Sequence, residues 1–425
     1  MTGYPRISVW ALIRDFGMNL IQKRWLLLAA ACLINLCAGS IYAWSVFAPP
    51  LAERLSLITG TTVTAGALAA AFSLANGIAP VPMILGGWVN DRFGPRAIIP
   101  AGGIVMGIGF YFAATAETTI ALILGYGLGF GLGLGFVYGS SVNTILKFFP
   151  DHRGLAGGMA TAVYGMSSVL LPPIAHALIE AEGIQAALLM LGGIFTVVIV
   201  AGGLFLEKCP ESFQKRFAAS SRGRRSAGDE CDWRGMLRAK RFPPMVLLML
   251  CGAIPGMMII SHCWSLAKDA AGLDAAAAST AVSMLALANV FGRLLAGALS
   301  DKFGRLSSLS GALVLTIAAT VLLSLSAPEA PLFFYAGILA IGLAFGAFMG
   351  IYPGFTAEEF GTKHNSVNYG IMFSGFAVAG FAGPLAMSLL KSAGMNYQTI
   401  CLLTTTLAVL GLLFARLFAR AKTSA

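Results

Sequence analysis

Charge is what this sequence has least of. Asp, Glu, Lys and Arg make up 11% of its 425 residues, against roughly 25% in an average soluble chain. So few charges cannot cover a water-facing surface of this size, which excludes an ordinary soluble globular protein. Cysteine is sparse and unpatterned. Seven are scattered at 32, 37, 209, 231, 251, 263 and 401, with no CxxC and no metal-ligand spacing. They read as small apolar residues in helices plus two loop thiols, and exclude a disulfide framework or a metal site. Histidine occurs four times. No His/Asp cluster or paired carboxylates lie at depth in an apolar run, so a membrane-embedded enzyme lacks its chemistry. No cofactor is expected. Segments of about ten residues alternating apolar and polar, the mark of an outer-membrane barrel, are missing too.

What is present is apolar sequence, at 57% hydrophobic residues and a mean hydropathy of +0.81. A membrane-crossing helix needs about 20 mostly apolar residues. Twelve runs qualify, near 25–48, 64–88, 96–115, 119–146, 153–178, 184–206, 243–266, 277–299, 305–326, 330–354, 366–390 and 397–419. One long polar stretch, 207–242, separates the sixth from the seventh, with a short surface helix expected around Trp233 to Lys240. The expected organisation is an N-terminal segment (1–24), a six-helix half (25–206), a linker (207–242), a second six-helix half (243–419) and a tail (420–425). The fold class is all-α integral membrane.

The formal charge of +10 raises the question of nucleic acid, but the distribution answers it. With a cytoplasmic N-terminus, 24 of the 28 Lys and Arg fall in cytoplasmic segments. Arg54, Lys268 and Lys391 fall outside, and Arg293 lies within a span. That asymmetry is the positive-inside pattern. It places both termini in the cytoplasm of an inner or plasma membrane, and leaves no basic face for nucleic acid.

The chain also repeats itself. "GWVNDRFGPR" at 87–96 matches "GALSDKFGRL" at 297–306 with an offset of 210, each after the second helix of its half. Gly87, Asp91, Arg92 and Gly94 align with Gly297, Asp301, Lys302 and Gly304. A weaker echo, Phe149 with Phe360 and Pro173 with Pro384, has an offset of 211. Two related six-helix halves mark a transporter built by duplication. The leading glycine admits a close neighbouring helix. The carboxylate can meet a helix N-terminus or an arginine. Such contacts would latch the cytoplasmic side shut and break when the halves rock.

These features resemble the major facilitator superfamily. Its signature loop is matched by the repeated "G-x-x-x-D-[RK]-F-G" followed by an arginine, and twelve spans fit its fold of two pseudo-symmetric six-helix halves. "AGSIYAWSVF" at 38–47, "GLGLGFVYGSSVNTILKFFPDHRGLAGGMA" at 131–160 and "NVFGR" at 289–293 look like the oxalate:formate antiporter family and its monocarboxylate-transporter relatives.

Arg293 is the conspicuous candidate. It lies about 12 Å inside the cytoplasmic boundary set by Asp301, against an apolar half-thickness of about 15 Å. Snorkelling over that distance is hard, and an arginine at that depth costs at least about 2.5–3.5 kcal/mol. Its repeat-equivalent is Met83, so symmetry does not demand the charge. With no acidic residue deep in any span, an anionic substrate is the candidate counter-ion. A guanidinium fork suits a carboxylate. The bland alternative is a structural arginine bonded to backbone carbonyls. The resemblance implies that Arg293 is a carboxylate-binding arginine. It also exposes departures: Phe376 stands where oxalate-type antiporters carry a second cation. Asn289 stands where animal monocarboxylate transporters have an aspartate, and their first-helix lysine falls near Val46. One buried cation suits one carboxylate, and the proton relay does not simply carry over.

Tyrosines inside spans need partners, so Tyr42, Tyr138 and Tyr352 are candidate pocket residues, with helix packing as the alternative. His262 could line the pathway or pack; His176 reads more as packing. The GxG run at 125–139 lacks the strand and βαβ context of a dinucleotide site. Its rows Gly125/Gly129/Gly133 and Gly127/Gly131/Gly135 read as helix-packing faces. The expected function is a secondary transporter of small organic anions, with monocarboxylates foremost. It would work as a monomer, coupled to protons or a counter-anion. An oxalate/formate-type exchanger is the near alternative. A transporter-derived sensor is the distant one, disfavoured by short tails.

Overall fold

In the computed structural model, residues 20–214 and 230–423 are described; the expected segment 1–24, the linker's middle and the extreme tail lie largely outside them. The described chain is helical throughout, with eleven long apolar stretches. One of these, Arg153–Phe205, is two helices meeting at Gly183, whose φ of 77° lies in the left-handed region. Counting that break, twelve helices are long and apolar enough to span a bilayer. They are α1 (Leu20–Thr59), α2 (Gly66–Phe93), α3 (Pro95–Thr115), α4 (Thr119–Phe148), α5 (153–182), α6 (184–205), α7 (Phe242–Ala271), α8 (Ala275–Phe303), α9 (Arg305–Ser324), α10 (Pro331–Phe360), α11 (Asn365–Ser392) and α12 (Tyr397–Thr423). The short linker helix is Trp233–Arg238, its first turn capped by the Asp232 carboxylate accepting from Gly235 N.

Local chemistry sets most boundaries. Thr64, Thr118 and Asp274 cap α2, α4 and α8 by accepting backbone N–H bonds at 3.2, 3.1 and 2.8 Å. Pro95 and Pro331 begin α3 and α10, where the missing N–H is not needed. α1 departs from the expectation. It breaks into a 3-10 turn at Gly39–Ala43, then runs on through Pro49 and Pro50 to Thr59, ended by left-handed Gly60. Proline's fixed φ is helical, so the pair costs hydrogen bonds without stopping the chain. The extension brings Glu53 and Arg54 into helix; Arg54 Nη1 donates to Ala114 O at 2.7 Å.

The glycine rows of α4 pack two different helices. Gly129 and Gly133 abut the α3 backbone at Gly109 and Gly102, while Gly131 and Gly135 abut α2 at Ala75 and Ala79. In α10, Gly342, Gly346 and Gly350 abut α8 at Leu285, Asn289 and Arg293. The two triplets correspond at an offset of 211 when Gly139, which meets Met83, completes the first. The pairs α5 with α8 and α2 with α11 join the halves.

Candidate functional site

Two structural centres follow from this packing. The first is at the end of the molecule that carries the repeated loops. Gly94 and Gly304 have φ of 90° and 89°, and each donates its N–H back to the helix it ends, to Asn90 O and Ser300 O. This left-handed turn is why glycine stands there. A Cβ on Gly87 would lie 2.6 Å from the Ser366 carbonyl, and one on Gly297 would strike the Gly154 carbonyl. Both glycines therefore let backbones of opposite halves touch.

The aspartates exploit that contact. Asp91 accepts from Ser366 N (3.1 Å), Val367 N (3.3 Å) and the Ser366 hydroxyl (2.8 Å) at the start of α11. Asp301 accepts from Gly154 N and Leu155 N, both at 2.8 Å, at the start of α5. Each carboxylate thus neutralises the positive end of a helix in the other half. Each is also ion-paired: Asp91 with Lys147 at 2.7 Å, and Asp301 with buried Arg305 at 2.7 Å, which also holds Glu358 at 2.5 Å. Arg92 and Lys302 instead turn outward over neighbouring rings, Arg92 over Trp88 and Phe93, Lys302 over Phe303. The linker docks at this end too. Glu230 accepts from Lys363 N at 2.8 Å, and Cys231 N donates to Phe360 O at 3.0 Å. Cys209 lies here as well, and burial pushes its thiol up to about 12.

The second centre is Arg293, about two-thirds of the way along α8 and only 3% exposed. Its Nη1 donates to Thr161 O of α5 at 2.8 Å, and its Nε to Asn289 Oδ1 one turn earlier at 3.1 Å. Gly165 of α5 leaves room for the guanidinium: a Cβ there would sit 3.3 Å from Cζ. Among the described residues no acidic side chain pairs with Arg293, and its Nη2 makes no hydrogen bond. Nor is Nη2 one of the sealed, unpartnered polar atoms of the interior.

Phenols surround this cation. Tyr138, Tyr164 and Tyr369 lie within reach of its charge, and Tyr42 packs edge-on against Tyr164. Ring centroids lie 5.5 Å apart for Tyr42–Tyr164 and 4.6 Å for Tyr138–Tyr164. From Tyr138 the chain of rings crosses to the second half through Phe373 (5.7 Å), then Phe376 (4.9 Å) and Phe345 (6.1 Å). A cation with one unbonded N–H edge, near three phenols and an apolar aromatic row, can hold a carboxylate and an adjoining apolar group.

The structure therefore gathers Arg293, Asn289, Tyr42, Tyr138 and Phe376. It does not bring Tyr352 to them. That phenol donates to Met245 O at 2.8 Å, and its ring lies between Phe348 and Phe355 in the packing of α7 against α10. His262 also stands apart, further along α7, between the hydroxyls of Ser261 (2.8 Å) and Ser388 (3.2 Å). His176 is exposed beside Glu180. The seven cysteines are free, and the described residues hold no metal-binding cluster. Sequence reasoning missed Tyr164, Tyr369 and Thr161. Applied evenly, the rule that in-span tyrosines need partners selects Tyr164, but it also selects Tyr126, which stacks on Trp44 and Phe130 instead. Thr161 contributes only a backbone carbonyl, which no residue type signals.

Comparison with known proteins agrees with this architecture. The Major Facilitator Superfamily model matches residues 30–384 and 256–424. The chain is 27% identical over 361 residues to the uncharacterized MFS-type transporter YhjX of Escherichia coli (strain K12), spanning 85% of this chain and 86% of that one. It is 27% identical over 383 residues to the oxalate:formate antiporter of Oxalobacter formigenes, spanning 89% and 88%. Among solved structures, the proton:xylose symporter XylE superposes with a TM-score of 0.69 at 14% identity, covering 92% of this chain and 94% of that one. The chain belongs to the Major Facilitator Superfamily, and is an integral membrane transporter rather than an enzyme.

Proposed function

We propose that this protein is a secondary transporter of small organic anions, foremost monocarboxylates, that binds the substrate carboxylate at Arg293. The observation that carries the reading is the guanidinium itself. It is buried within α8, unmatched by any acid among the described residues, with Nη2 unbonded and three phenols, Tyr138, Tyr164 and Tyr369, within reach of its charge. A buried cation without an anion is costly, and a carboxylate in the site removes that cost. Asn289 and the Thr161 carbonyl orient the fork. In this reading Tyr42 and Tyr138 donate to the carboxylate oxygens, and Phe376 with Phe373 borders the substrate's apolar part. A second carboxylate would have to face rings rather than a cation, which favours one charge per substrate.

In this reading the repeat-bearing end is cytoplasmic, as the Lys and Arg distribution indicates, with residues 25–206 and 243–419 as the moving halves. Asp91 and Asp301 hold that side shut, and substrate exchange on the other side precedes their release. Uptake of labelled monocarboxylates into proteoliposomes tests the assignment. Arg293→Ala should abolish uptake and Arg293→Lys should leave a small fraction, because an ammonium lacks the planar fork. Uptake by the Ala variant at the wild-type rate, with equal reconstitution, sinks the proposal. The oxalate:formate antiporter among the relatives favours anion exchange as a second reading. Uptake that depends on an internal anion, rather than on an imposed proton gradient, selects it.

A further inference from the structure

The two halves differ on their lipid-facing sides as well as inside. In the first half, the Phe136 ring of α4 sits between α2 and α3. Cβ atoms built on Gly86 and Gly102 would lie 2.7 and 2.9 Å from its side chain, and Ile98 packs beside it. The repeat maps these residues onto the second half. Phe136 corresponds to Ala347 at the α4/α10 offset of 211. Gly86, Gly102 and Ile98 correspond to Ala296, Ala312 and Ser308 at the motif offset of 210. A ring and a branched chain are exchanged for a methyl and a hydroxymethyl, and only two methyls are added back. All four counterparts line an open groove of about 360 Å³ between α8, α9 and α10.

Along α8 the groove runs from Phe303 to Gly292, about 16 Å of helix. That is the depth of one leaflet, about 15 Å of hydrocarbon. Its rim residues Leu295, Leu299 and Phe303 are 53%, 50% and 61% exposed, so it opens sideways to lipid. Its Phe303 end carries the polar groups. The Ser307 and Ser308 hydroxyls bond to no described residue, and exposed Lys302, next to Phe303, has no acidic partner among the described residues.

We propose that this groove is a binding site for an anionic phospholipid. One acyl chain fills the space that Phe136 fills in the other half, and the phosphate rests by Lys302 and the two serines. A spanning partner helix is the poorer fit, because it would need a face through both leaflets, and the groove stops at mid-depth. The deep end is Gly292, the residue before Arg293, so an occupied groove braces α8 directly behind the candidate substrate site.

Purified protein in detergent would be photolabelled with phosphatidylglycerol carrying an acyl-chain diazirine, and the labelled peptides mapped. Label concentrated on 292–315 and 343–347 supports the site; label spread evenly around the helical belt overturns it, and so does a cross-link to a second copy of this chain there. In parallel, phosphatidylglycerol should raise the wild-type Tm more than phosphatidylcholine does, by ligand linkage. Ala347→Phe, which restores the first half's ring, should lose that extra rise and the label; Lys302→Gln should lose only the preference for the anionic headgroup. An Ala347→Phe variant that keeps both label and Tm response refutes the assignment. If its ring does not fit, Ser308→Ile serves the same comparison.

Discussion

Asp91 and Asp301 lie in the last turns of the equivalent helices α2 and α8, and each caps a helix of the opposite half. Two turns deeper the equivalence ends: Arg293 stands on α8 where α2 has Met83. Met83 is 1% exposed and packs on Gly139, while Arg293 bonds across to α5 and lacks an anion. The comparison separates what duplication conserves from what it releases. The repeat-bearing end has the same task in both halves, to hold two backbones together, and the same residues recur. At mid-depth a single charge is enough for a small anion, and a second would repel the first at close range.

The strongest way to break that comparison is to move the charge. In a Met83→Arg/Arg293→Met exchange the net charge is unchanged, yet uptake should fall to background. Position 83 has Ala79, not asparagine, one turn earlier, so an arginine there lacks the amide that orients the Arg293 fork. Met83→Arg alone should also lower the Tm, because it buries an unpaired cation. Transport by the exchanged protein would show that the site tolerates its cation from either half.

Next in size is closure itself. Gly297→Ala puts a Cβ into the Gly154 carbonyl, so the α5–α8 contact cannot form as it stands. Uptake should fall by an order of magnitude or more, at about 1.4 kcal/mol per tenfold, with substrate binding less affected. Gly87→Ala should act in the same direction at α2–α11. Equal effects would mean that the two contacts close as one unit.

Much of this was legible before any coordinates. Run lengths yielded the spans, because a bilayer demands about 20 apolar residues and internally satisfied backbone. The repeat showed the paired loops, and the depth of Arg293 below Asp301 singled it out. α1 runs past its expected end at 48 because the fixed φ of Pro49 and Pro50 is itself helical. The phenol group was only half legible. Tyr42 and Tyr138 were found by being polar within an apolar run, but Tyr352 obeys the same rule and spends its hydroxyl on Met245 O. Which hydroxyl faces a cavity and which faces a carbonyl depends on helix rotation, and rotation is set by small-residue contacts such as Gly165 against Arg293.

Smaller effects sharpen the comparison of the two aspartates. Asp301→Asn should speed amide hydrogen exchange at Gly154 and Leu155, and Asp91→Asn at Ser366 and Val367, each in the half that does not carry the substitution. Asp91→Asn should have the larger effect. It leaves Lys147, 13% exposed, with no acidic partner among the described residues, whereas Arg305 keeps Glu358 when Asp301 is neutralised, and a cation deprived of its partner is the costlier loss. Exchange rising only within the mutated half would count against the latch.

The smallest expected effect separates the tyrosines. Tyr352→Phe removes one buried hydrogen bond and no ring contact, so it should cost about 0.5–1.5 kcal/mol of stability and leave the KM for uptake unchanged. Tyr138→Phe should do the reverse: little change in Tm, since Phe373 and Tyr164 still hold the ring, and a raised KM, since a hydroxyl beside Arg293 is gone. Each ring is packed equally well after the change, so packing alone predicts the same result for both. A KM that rises for Tyr352→Phe and stays put for Tyr138→Phe would place the substrate on the α7–α10 side and away from Arg293.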